Sequence, residues 1–184
     1  MDNGISSHAG VEHARSLGIP VIVTDHHLPG DTLPAAEAII NPNLRDCNFP
    51  SKSLAGVGVA FYLMLALRTF LRDQGWFDER GIAIPNLAEL LDLVALGTVA
   101  DVVPLDANNR ILTWQGMSRI RAGKCRPGIK ALLEVANRDP QKLAASDLGF
   151  AVGPRLNAAG RLDDMSVGVA LLLCDNIGEA RVLA

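Results

Sequence analysis

Pro20-Val21-Ile22-Val23-Thr24-Asp25-His26-His27 is the stretch on which the fold of this chain turns. Residues 20–24 are apolar and rich in β-branched side chains, and they follow Gly18, so the run predicts a buried strand. That strand delivers a carboxylate and two imidazoles at its end, the donor types of a metal site. Taken alone, the triplet also fits a solvated turn with a chance histidine pair.

Working outward, the chain opens on Asp2-Asn3-Gly4, and residues 5–17 then predict a helix with Ser6 or Ser7 as N-cap and Gly18 closing it. Asp2 and Asp25 thus flank one β-α-β passage. In a parallel α/β sheet the strands end on the same edge, where ligands gather, so the two carboxylates become neighbours. Residues 38–40 form a second short apolar run among Pro29, Pro34 and Pro42, which predicts a turn, another strand and a loop. A third acidic position, Asp101, is the only charge between Leu93 and Leu105. An unpaired buried charge is costly, so Asp101 is either a cap or a metal ligand.

Beyond residue 56 the pattern is helical, over residues 57–72, 87–96, 109–121, 128–137, 166–174 and from 177 onward. Gly56 and Gly58 at the start of the first of these admit either a phosphate against backbone N–H groups or close helix packing. The net charge is −3, but no acidic residue falls from Ala107 to Leu133, where Arg110, Arg119, Arg121, Lys124, Arg126 and Lys130 stand. Such a stretch neutralises phosphates or forms a solvated helix face. Trp114, within it, is expected on the apolar side of an amphipathic helix, with base stacking as the alternative. His8 and His13, five apart on the first helix, do not face each other and read as surface or packing residues. Cys47, Cys125 and Cys174 form no Cys-x-x-Cys pair, no signal sequence opens the chain, and no apolar run spans a bilayer. These features lead to the expectation of a cytoplasmic enzyme without disulfides and without a membrane partner.

Asp2-Asn3-Gly4, Asp25-His26-His27, residues 54–61, residues 97–105 and residues 153–162 together resemble the DHH phosphoesterase superfamily, and closely its RecJ-type branch of single-strand-specific exonucleases. The resemblance implies an α/β fold, a parallel doubly wound sheet with a helical C-terminal extension. Residues 1–106 would be the DHH core and residues 107–184 the extension leading towards a DHH-associated domain. It implies a site for two Mn²⁺ or Mg²⁺ ions, with Asp2, His26 and Asp101 as metal ligands. His27 would contact the scissile phosphate or nucleophile, and Asp25 would orient an imidazole, with direct metal ligation as the alternative. The segment Gly153 to Leu162 marks the RecJ branch. There Arg155, Asn157 and Arg161 would hold the nucleotide end, in place of a structural glycine loop with surface arginines.

The implied activity is hydrolysis of single-stranded DNA from its 5′ end, in repair and recombination. The implied partners are single-stranded DNA and a single-strand-binding protein or helicase. The family pattern begins with a strand and an Asp-x-Asp motif that this sequence does not contain. The chain is therefore expected to be an internal fragment, with little activity alone. Two other functions share the motifs: a phosphoesterase of short oligonucleotides or cyclic dinucleotides, and a non-catalytic repair scaffold.

Overall fold

A computed structural model describes residues 2–162 and 165–184, and only the backbone of residues 159–162. The chain divides into two compact units, one of residues 1–87 with 103–109, the other of residues 88–102 with 110–184.

In the first unit, a 3₁₀ turn Gly4–Ser6 leads into helix α1 (His8–Ser16). Gly18 follows with φ +72°, the left-handed conformation that closes a helix cheaply only without a Cβ. Strand β1 (Ile22–Thr24) pairs in parallel with β2 (Ala38–Ile40), in a register that sets Thr24 against Ile40. These are the strands of the sheet among the described residues, so the fold is helix-rich α/β with a small parallel sheet. Helix α2 (Gly56–Asp73) and the single turn α3 (Trp76–Glu79) follow in this unit, whose core includes Ile5, Val11, Val23, Val59 and Phe61.

The second unit begins in the 3₁₀ turn Leu87–Leu90 and helix α4 (Leu91–Ala100). Helix α5 (Ala107–Arg121) starts in the first unit and continues here. Helices α6 (Pro127–Val135), α7 (Ala145–Asp147), α8 (Gly153–Leu162), α9 (Ser166–Leu173) and α10 (Ile177–Leu183) follow, with a π-helical stretch Leu148–Val152 entering α8. Ile120, Ile129, Leu133, Leu148 and Val152 are sealed in this unit's core. None of the described helices is long and apolar enough to cross a membrane.

The expected core position of Trp114 is corrected here. Asn109, Leu112, Thr113, Gly116, Met117 and Ile120 form the buried stripe of α5 at helical spacing, and Trp114 falls off it, 62% exposed. Gly116 lies on that stripe because a Cβ there would run into the Leu91 carbonyl and come within 2.5 Å of the Ala95 methyl. His8 and His13 are both exposed.

Candidate metal centre

The parallel register decides which residues meet. It sets the residues after β1 beside those after β2, so Asp25, His26 and His27 share an edge with Asn41 and Asn43. Asp2 arrives there because its backbone N–H donates to the Thr24 carbonyl at 3.0 Å. Asp2 and Asn3 adopt left-handed φ of 60° and 58°, a strain of order 1–3 kcal/mol per residue that concentrates at functional sites.

Asp25 is completely buried. Its Oδ2 accepts the Ile5 N–H at 2.7 Å, and its Oδ1 accepts the N–H groups of His26 at 2.7 Å and His27 at 3.1 Å. The His27 ring completes the set, with Nδ1 2.8 Å from the same oxygen. Burial pushes the Asp25 pKa upward. The hydrogen bonds from Ile5, the His27 ring and the two histidine amides outweigh it and hold the carboxyl well below the usual carboxylate range. An ionised carboxylate only accepts, so His27 carries a proton on Nδ1 and, when neutral, has its basic lone pair on Nε2.

Asp2 brings a second carboxylate to both rings. Its Oδ1 lies 3.3 Å from His26 Nε2 and 3.5 Å from His27 Nδ1, and the side chain is 59% exposed. Asp2, Asp25, His26 and His27 can each offer one ligand atom, all within 4.8 Å of one another. The start of α2 leaves room beside them: a Cβ on Gly56 would lie 3.4 Å from Asp2 Oδ1 and 3.8 Å from His26 Cδ2. Carboxylate oxygens and imidazole nitrogens at this spacing, with an open side, fit a divalent cation such as Mn²⁺.

The other expected residues lie in the second unit. Asp101 is the exposed C-cap of α4. Arg155 and Asn157 are exposed on α8, so the segment expected to hold the nucleotide end is a helix, which also excludes the alternative of a glycine loop. At about 100° per residue the two point to nearly opposite sides, and Arg155 donates to the Ala151 carbonyl at 2.6 Å. The Arg161 side chain lies outside the described residues. Gly153 lets α8 approach α4 closely, since a Cβ there would meet the Ala100 Cβ at 3.2 Å.

Two further residues at the centre went unread in the sequence. Asn41 and Asn43 donate their side-chain amides to the His27 and His26 carbonyls. The available signal was Asn-Pro-Asn directly after a predicted strand, a position where ligands gather in parallel sheets.

A family model described as the DHH family, N-terminal domain, matches residues 1–98. The single-stranded-DNA-specific exonuclease RecJ of Escherichia coli K12 is 98% identical over all 184 residues, which cover 32% of that protein. A crystal structure of exonuclease RecJ bound to manganese superposes with a TM-score of 0.79 at 37% identity, covering 99% of this chain and 43% of that one. RecJ from Thermus thermophilus in complex with Mn²⁺ gives 0.77 at 36% identity, covering 98% and 25%. The chain spans a third or less of the length of the curated relatives it matches. The matched segment contains the strand-end triplet and the carboxylate that closes on it, and by that match the chain belongs to the DHH family.

Proposed function

We propose that this chain is the metal-binding part of an exonuclease that hydrolyses phosphodiester bonds of single-stranded DNA in the 5′ to 3′ direction. The observation that carries the reading is the convergence of both histidine rings on one exposed carboxylate oxygen, Asp2 Oδ1. The names of the relatives, RecJ exonucleases with manganese bound in two of their structures, support it.

In this reading Asp2, His26 and Asp101 hold Mn²⁺ or Mg²⁺ in a two-metal site. When bound, such ions acidify water and stabilise charge on the attacking and leaving oxygens. Asp25 holds the proton of His27 on Nδ1, which turns Nε2 towards the scissile phosphate or the nucleophile. Arg155, Asn157 and Arg161 contribute phosphate contacts at the nucleotide end, where the arginine fork matches phosphate geometry. Residues 1–106 act as the catalytic core and residues 107–184 as a helical extension of it.

The test is Mn²⁺-dependent degradation of 5′-phosphorylated single strands by the native-length protein, beside duplex and dinucleotide substrates. Long single strands are expected to be degraded from the 5′ end, and His26→Ala or Asp101→Ala to lower the rate by about two or more orders of magnitude with an unchanged circular dichroism spectrum. Near-normal hydrolysis in either variant removes that residue from the metal set. Preference for dinucleotides would assign the site to a short-substrate phosphoesterase instead.

A further inference from the structure

The Asn41-Pro42-Asn43 segment makes more bonds to the neighbouring strand end than its own turn needs. Within the turn, Asn41 Oδ1 accepts the Asn43 N–H at 2.9 Å, an ordinary Asx arrangement. Both side-chain NH₂ groups then leave the turn. Asn41 Nδ2 donates to the His27 carbonyl at 2.8 Å, and Asn43 Nδ2 donates to the His26 carbonyl at 2.6 Å. Asn41 is 3% exposed, so its amide works where water cannot replace it. The segment is itself tied down. Lys52 Nζ donates to the Pro42 carbonyl at 2.6 Å and to the Cys47 carbonyl at 2.5 Å, closing the loop behind the asparagines.

We propose that Asn41 and Asn43 are positioning residues of the metal centre: by holding the main-chain carbonyls of His27 and His26, they fix where the two rings stand against Asp2. The inference rests on the metal-site reading above. Asp25 holds the same two residues through their N–H groups. The histidine segment is thus gripped by donors on one side and an acceptor on the other. Hydrogen bonds to its main chain leave His26 Nε2 to the metal and His27 Nε2 to the phosphate or nucleophile. Rotating either peptide would swing its ring, and a misplacement of about 1 Å at a reacting centre costs about a hundredfold in rate.

A purely structural tie would change stability alone, so the test reads the metal. In the native-length protein, Mn²⁺ titrated calorimetrically into folded Asn43→Ala is expected to bind about 10–100-fold more weakly than into the parent. At fixed Mn²⁺, kcat should fall while KM for single-stranded DNA holds, and raising Mn²⁺ should restore kcat. Asn41→Ala, which acts through His27, should lower kcat with Mn²⁺ affinity held, and raising Mn²⁺ should not restore it. Because Asn41 is buried and its loss can impair folding, Lys52→Met, which loosens the segment without touching the histidines, provides the second arm. Parent-like Mn²⁺ affinity in folded Asn43→Ala and Lys52→Met overturns the inference. His26→Ala separates the two levels: if it too binds Mn²⁺ as the parent does, the metal-site reading fails first.

Discussion

Asp25 Oδ1 lies 2.8 Å from His27 Nδ1, and that oxygen also accepts the N–H groups of His26 and His27. The carboxylate between the strand end and the histidines is therefore occupied by protein donors. This favours a role in setting the His27 tautomer over direct metal ligation.

Asp25→Ala is expected to destabilise the first unit by at least about 3 kcal/mol, because buried donors on Ile5 and the histidines lose their acceptor. Asp25→Asn keeps the volume but offers one acceptor oxygen in place of two, and should cost less while still lowering Mn²⁺ affinity. Urea denaturation beside calorimetry reads both. A stable, metal-competent Asp25→Ala would show that the histidines hold their places unaided.

Gly116 and Gly10 provide a paired test of packing. Gly116→Ala drives a methyl into the Leu91 carbonyl, a main-chain atom that cannot rotate away, and should cost about 3 kcal/mol, the upper end for an overpacked core. Gly10→Ala adds a methyl where nothing lies within 4 Å, on helix α1, and should stabilise by about 0.5–1 kcal/mol. Opposite shifts of the urea midpoint are the expected outcome.

The basic stretch divides into two kinds of residue. Arg121 spends its guanidinium on the Leu143 carbonyl, with Nε at 2.9 Å, whereas Arg119, Lys124 and Arg126 line an open groove of about 340 Å³ with Glu89, Cys125 and Asp175. Arg119→Ala with Lys124→Ala should weaken single-stranded DNA binding and lower its salt slope by about one to two, leaving dinucleotide hydrolysis unchanged. Arg121→Ala should instead lower stability. An unaltered salt slope in the double variant would reduce the groove to a solvated surface.

Burial, followed by the nearby Asp92 charge, pushes the Cys125 thiol pKa upward. Because the folded state favours the neutral thiol, any stability this contributes is present below the unfolded pKa of about 8.5 and is lost as pH rises towards the folded value. Alkylation of Cys125 by iodoacetamide, followed by peptide mass spectrometry, should show a pH midpoint above about 8.5. A midpoint at or below that value would contradict the burial argument.

Local pattern was enough for most of the elements, α8 excepted, and for the centre's outline. A β-branched run ending in Asp25-His26-His27 reads as a strand carrying metal donors, and Gly18 at φ +72° closes the helix that the composition predicts. Asp2-Asn3-Gly4 and the triplet together were sufficient for the family. What those donors do was decided by tertiary structure, because it depends on groups distant in sequence. The Thr24 to Ile40 register brings Asn41 and Asn43 onto the histidine carbonyls, and that register joins two strands that are separate in the sequence. The Ile5 N–H, twenty residues from Asp25, helps make a general carboxylate into a buried, ionised acceptor. Trp114 and Arg121 follow the same rule: an exposed indole and a guanidinium spent on the Leu143 carbonyl reflect which side of α5 meets α4 and where residue 143 passes. Packing chose these outcomes by burying one stripe of the helix and satisfying the main-chain groups beside it.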